Sequence, residues 1–159
     1  LKAIYLLFYL GYFIINRDAN GGALNYPMDI VIDLNKNVLA NRLIVWQRAY
    51  WYSGEEPNGV SALPYYYQQE NMKAFDIYIS TNAQDWVLVG QFEIEDRKDI
   101  DGNVSEEAVL EALNGHNFSF DNVTMPFRYL KFSITSSFGS EINIYGSEIS
   151  LFGLDNVEL

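Results

Sequence analysis

The chain has 159 residues, long enough for one domain with its own core. Its net charge of -11 argues against a nucleic-acid partner, because a phosphate backbone is held by clustered Lys and Arg. With no Cys and one His, it excludes disulfides, thiol catalysis, Cys-type zinc sites and metal centres built on several histidines.

Leu1 to Ile15 is almost wholly apolar, Lys2 and Gly11 being the exceptions. That is short for a membrane span, which needs about 20 apolar residues. Two readings stand open: buried strands, or the remnant of an export signal or domain boundary. The chain therefore divides into an apolar segment, 1–15, and a β domain, 16–159.

Asp18 to Gly22 is a turn-rich loop. Met28 to Leu34 alternates, with Met28, Ile30, Ile32 and Leu34 on one face of a strand. Asn35-Lys36-Asn37 predicts a tight turn into a second strand, Asn41 to Gln47. There Leu43, Val45 and Gln47 face one way, and Ile44 and Trp46 the other. Lys73 to Ser80 alternates again, with Phe75, Ile77 and Ile79 together, and a turn at 82–85 leads into Trp86–Val89. Val104 to Asn114 carries the helical spacing, with Ser105 as N-cap, Glu106 and Glu107 at the positive end of the dipole, and Gly115 closing it. Arg128–Ile134 and Ile142–Phe152 return to the strand period. Many short strands and one short helix predict an all-β sandwich.

Residues 49–72 interrupt this pattern with aromatic side chains. The chain is 16% aromatic, with 12 Tyr and 10 Phe, and Trp51, Tyr52, Tyr65, Tyr66 and Tyr67 fall in this break. Aromatic faces stack on the C–H face of a sugar ring, and nearby amides or charges fix its hydroxyls; apolar walls with a few polar groups make such a pocket. Arg48, Gln68, Gln69 and Asn71 are candidate hydrogen-bonding partners, and Phe138 a candidate loop-tip aromatic. Trp46 and Trp86 read as structural, and His116 as a surface or loop residue. Glu55 and Glu56, and Asp96, Asp99 and Asp101, read as solvated loop charges, since nothing sets two of them across one cleft. No enzymatic activity is expected.

Several blocks in this order resemble discoidin-like domains, also called coagulation factor type C domains. They are Ile30-Val31-Ile32-Asp33-Leu34, Phe75-Asp76-Ile77-Tyr78-Ile79-Ser80, Asp85-Trp86, Phe127-Arg128-Tyr129-Leu130-Lys131-Phe132 and Ser147-Glu148-Ile149-Ser150-Leu151-Phe152-Gly153. Trp46-Gln47-Arg48 and Ser136-Ser137-Phe138-Gly139 bring the resemblance nearest to a subgroup in surface lipoproteins of Bacteroidota glycan-uptake systems. The resemblance implies a jelly-roll β-sandwich of the galactose-binding-like fold. It also implies a structural calcium, with Asp18, Asn20 and Glu148 as candidate ligands, although the family's opening Asp-Gly turn is missing from Tyr5–Leu10. The expected function is a non-catalytic carbohydrate-binding module, outside the cytoplasm or in the periplasm and part of a larger chain or assembly. The alternative is a module that binds a surface protein in a glycan-uptake or adhesion system. Neither reading has the domain inserting into a membrane, for it has no basic rim.

Overall fold

The computed structural model describes residues 2–6, 13–16, 22–49, 66–120 and 123–155; for 2–6, 13, 14, 16 and 155 it describes the backbone alone. The strands are β1 (Lys2–Leu6), β2 (Phe13–Asn16), β3 (Met28–Val45), β4 (Met72–Ser80), β5 (Val87–Glu93), β6 (His116–Ser119), β7 (Phe127–Ser137), β8 (Asn143–Gly146) and β9 (Ile149–Asp155). The helix α1 (Glu106–Asn114) stands between β5 and β6. Seven strands form one sheet, ordered β1-β9-β3-β7-β4-β5 with β6 also on β3, while β2 and β8 form a separate ribbon.

β3 makes this sheet into a sandwich. Its first part pairs with β7, from Met28↔Ile134 to Asp33↔Tyr129. Its last part pairs with β9 on one side and β6 on the other, Val45 lying opposite both Ile149 and His116. One strand thus belongs to two layers: β3 start–β7–β4–β5, and β6–β3 end–β9–β1. The predicted turn at 35–37 is instead a bend inside this continuous strand. Asn35 takes the left-handed conformation, φ 56°, and its N–H donates to Asp33 Oδ1 at 2.8 Å. Asn is among the few residues that visit this region cheaply. Arg128 grips the same carboxylate with two parallel bonds of 2.7 and 2.8 Å. The Arg128 fork, helped by the Asn35 N–H, holds the Asp33 carboxyl down at about 2.

The inward residues follow the alternation. Met28, Ile30, Ile32 and Leu34 pack against the core, and Leu43, Val45, Phe75 and Ile77 lie within it. Four phenylalanines join the layers: Phe75 stacks on Phe132 at 4.3 Å and meets Phe118 of β6 edge-on at 5.2 Å, while Phe92 lies 5.1 Å from Phe118. Such ring pairs add to the area they bury. The helix begins as its sequence predicts, with Ser105 Oγ accepting from the N–H of Ala108 at 3.2 Å, and Gly115 closes it at φ 81°.

Two irregularities set the shape of the sheet. In β5, Val89 is an extra residue, because Ile77 pairs with Gly90 while Tyr78 pairs with Leu88. In β3, Asn41 is extra, between the Ala40↔Gly153 and Arg42↔Phe152 pairs. At the second bulge the strands approach so closely that a Cβ on Gly153 would lie 2.3 Å from Leu39 O and 2.5 Å from Ala40 Cα. These are backbone atoms and cannot swing aside. Gly153→Ala is therefore expected to lower the free energy of unfolding by about 1–3 kcal/mol, measured by urea denaturation.

Candidate functional site

At one end of the sandwich the chain leaves β3 at 46–49, returns to β4 through 66–71, and is joined by the 138–142 and 94–105 connections. A buried polar knot ties these segments together. Gln47 Oε1 accepts from the Tyr67 N–H at 2.7 Å and from Asn71 Nδ2 at 3.4 Å. Asn71 holds the backbone of Arg48 in both senses: its Oδ1 accepts from the Arg48 N–H at 3.0 Å, and its Nδ2 donates to the Arg48 carbonyl at 3.1 Å. The backbone of Asn71 extends the knot, its carbonyl accepting from the Phe138 N–H at 3.1 Å.

The knot also fixes the state of His116. A backbone N–H can only donate, so the Gln47 atom facing Tyr67 is the oxygen and the one facing His116 is the NH₂. That NH₂ lies 3.0 Å from His116 Nε2, which must therefore be the unprotonated acceptor. The ring proton sits on Nδ1, which faces Glu111 Oε1 at 3.9 Å. Burial pushes the imidazole's pKa down, Glu111 opposes this, and Arg97 adds to it.

Arg48, Tyr66, Tyr67, Gln68 and Phe138 all come to this end; Trp51, Tyr52 and Tyr65 lie outside the described residues. Two of the assigned roles change. Tyr66 and Tyr67 are 5% and 0% exposed, so their rings are core and not stacking platforms. Alternation along an extended segment would turn one of two neighbours outward. Tyr67 instead takes φ 59°, which breaks the alternation and lets both rings turn inward. Burial pushes the Tyr67 phenol up to about 12, with Glu111 contributing, and its hydroxyl donates to the Ala108 carbonyl at 3.3 Å. His116 is likewise buried on β6 and not a surface or loop residue.

The rim above the knot retains aromatic and charged groups. The Arg48 guanidinium lies over the Tyr145 ring at 4.4 Å. Half-buried Phe138 meets Tyr67 edge-on at 5.8 Å, with the Lys98 ammonium 5.4 Å from its ring centre. Lys98 also donates to the Tyr67 carbonyl at 3.0 Å and pairs with Asp96 at 3.3 Å. Beside it a cleft of about 310 Å³ opens between residues 95–99 and the start of α1 at Ser105, Glu107 and Ala108. Its walls offer both carboxylates and cations to a hydroxyl-bearing ligand.

Sequence alternation set Gln47 on the same face as Leu43 and Val45, and a polar side chain at such a position signals a buried network. Asn71, expected to bond a ligand, instead turns its amide to Arg48 and Gln47, while nothing in the sequence marked Tyr145. Of the candidate calcium ligands, Asp18 and Asn20 lie outside the described residues, and Glu148 accepts from Ser150 Oγ at 2.8 Å. Among the described residues no group of three His, Cys, Asp or Glu side chains is placed to hold a metal.

The two layers, the helix α1 and the loop-built end give a β-sandwich of the galactose-binding-like fold. The chain belongs to the DUF5000 family, described as a domain of unknown function, which matches residues 11–153. Among solved structures it is similar to a SusE-like protein, with 19% identity and a TM-score of 0.68 over 91% of this chain and 52% of that one. The chain thus spans about half the length of that relative. It is also similar to a CBM32 module of a family 31 glycoside hydrolase from Clostridium perfringens, with 17% identity and a TM-score of 0.58 over 90% of this chain and 75% of that one. A third similar structure is a CBM32 module from Clostridium perfringens in complex with GalNAc-β-1,3-galactose, with 13% identity and a TM-score of 0.53 over 88% of this chain and 75% of that one. No curated protein matches the chain.

Two outcomes follow from the knot. Asn71→Ala removes the hydrogen bonds to the backbone N–H and C=O of Arg48 and is expected to cost about 2 kcal/mol of stability in urea unfolding. For His116, the unfolded imidazole titrates near 6.5 and the folded one below it. Below pH 6.5 the unfolded chain takes up a proton that the folded chain refuses, so stability is complete above that pH and falls as pH drops through the lower folded value. Between pH 7 and 5 the wild-type unfolding free energy is expected to decline, and His116→Leu to flatten that decline.

Proposed function

We propose that this chain is a non-catalytic carbohydrate-binding module of a surface or secreted protein, holding its glycan at the loop end. The observation that carries the reading is the clamp at Gln47 and Asn71. It fixes Arg48 on one side of the aromatic-rich segment and Tyr67 on the other. Trp51, Tyr52 and Tyr65 are thereby tied in sequence to a rim that carries Arg48, Gln68 and Phe138 beside a polar cleft. The fold shared with CBM32 modules, one of them complexed with a GalNAc–galactose disaccharide, supports the same assignment.

In this reading Phe138, Trp51, Tyr52 and Tyr65 supply stacking surfaces, Arg48 and Gln68 bond to hydroxyls, and Tyr66 and Tyr67 hold the floor. A single shallow site of this kind binds weakly, and affinity builds up through neighbouring modules or repeated ligands. Among the described residues no helix is long and apolar enough to cross a membrane.

A glycan array probed with the purified chain tests the assignment. Saturable binding is expected, abolished in Trp51→Ala and weakened about tenfold or more in Arg48→Ala, a loss of about 1.4 kcal/mol. Silence on every glycan together with co-purification of a protein partner would instead support an assembly module. Hydrolysis of any glycan would overturn both.

A further inference from the structure

The polar knot has a single consistent arrangement of donors and acceptors, and backbone groups impose it. The Tyr67 N–H claims Gln47 Oε1, which leaves the Gln47 NH₂ on His116 Nε2 at 3.0 Å. The Arg48 N–H and carbonyl orient Asn71 in the same way, and its NH₂ also points at Gln47 Oε1. Turning Gln47 over would set its NH₂ against the Tyr67 N–H. Turning Asn71 over would set its NH₂ against the Arg48 N–H and its oxygen against the Arg48 carbonyl. The knot therefore accepts His116 only as a neutral ring with a bare Nε2.

A proton on Nε2 sets two N–H groups against each other, in a place where His116 is 7% and Gln47 4% exposed. The ring cannot withdraw, because His116 pairs with Val45 in the ladder. Trp46 is tied through its backbone to Glu148 and Ser147, and Gln69, Glu70 and Asn71 through theirs to Ser140, Tyr145 and Phe138. Between these tied lengths the contact left to yield is Gln47–Tyr67. The other groups facing the imidazole come from three elements. Glu111 of α1 stands 3.9 Å from Nδ1, and Arg97 of the 94–105 connection is bound to Glu111 and Glu95. The Tyr67 ring meets the imidazole edge-on at 6.0 Å, its phenol neutral with a pKa of about 12. Burial and Arg97 oppose the charged ring and Glu111 favours it, so the proton enters below the ordinary value of 6.5.

We propose that His116 is an acid-operated latch on the loop end: a proton on Nε2 breaks the Gln47–Tyr67 bond and lets Tyr67 leave the end of β3. The latch itself stands on the knot alone. Its consequence for binding rests on the carbohydrate reading of the loop end. Arg48 and Tyr67 bound the segment that carries Trp51, Tyr52 and Tyr65, so the acid form loses one side of the clamp and releases its glycan. The coupling is reciprocal: a glycan that binds the closed form makes His116 harder to protonate.

The test is a pH titration of the isotope-labelled chain by NMR, downward from pH 7. At the start the ring nitrogens are expected to report a protonated Nδ1 and a bare Nε2. On acidification the Tyr67 and Arg48 amides and the Gln47 NH₂ are expected to shift with the midpoint of the imidazole, below 6.5, while the Phe75 and Phe132 amides stay in place. Glu111→Gln removes the carboxylate that favours the charged ring and is expected to move all these midpoints together to lower pH. His116→Gln keeps an acceptor for the Gln47 NH₂ but takes no proton, and its Tyr67 and Arg48 amides are expected to stay still. An imidazole that stays neutral until the chain unfolds, one that titrates without moving Tyr67 and Arg48, or a response that persists in His116→Gln would overturn the latch. A glycan array then reads the consequence. One pH unit below the midpoint about a tenth of the chain remains closed, so wild-type affinity is expected to fall about tenfold from its value at pH 7. In His116→Gln the ratio of the two affinities is expected to be near one. Equal wild-type affinities at both pH values would overturn the release of glycan. Silence at both would instead count against the carbohydrate reading, and the latch would be decided by the amides alone.

Discussion

The structure depends on one strand serving two sheets. β3 gives its first half to β7 and its second to β9 and β6, so the two layers cannot be placed independently. Everything that closes the core across the gap, including the Phe75–Phe118 contact, requires the strand to bend at Asp33–Asn35. The bend is held by a backbone N–H and an arginine fork converging on one carboxylate. An exposed ion pair contributes little to stability by itself. Here its geometry matters more than its strength, because it sets the direction in which the second half of β3 leaves.

This division explains what could be read from the sequence. Alternation depends on one residue and its neighbours two away, so the inward faces of β3 and β4 were legible, as was the helix with its Ser105 cap. The bend was read as a turn because Asn35-Lys36-Asn37 has turn chemistry, while the pairing that keeps the strand continuous comes from residues about a hundred positions away. Tyr66 and Tyr67 failed for a related reason. One left-handed residue overrides the period of two, and no local signal announces a Tyr at φ 59°. His116 looked like a loop residue because its partners, Gln47 and Glu111, are brought to it by the fold.

The loop end shows how a surface can be prepared in advance. At the loop end, the cost of burying amides and an imidazole is met by satisfying each of them, and a half-satisfied network would be worse than an apolar one. In return, Arg48 is held by its backbone at both N–H and C=O, which sets where its side chain begins. Interactions made by prearranged groups lose less entropy when a ligand arrives.

The extra residue in β5 has a consequence for how copies of the molecule meet. Among the described residues β5 is the last strand on its side of the order, and an outermost strand presents unpaired N–H and C=O groups on which another chain can template. With Val89 inserted between the pairs at Leu88 and Gly90, those groups fall out of step and the strand twists away from a straight ladder. The chain thus carries an irregularity that discourages edge-to-edge aggregation at the border of this four-stranded layer.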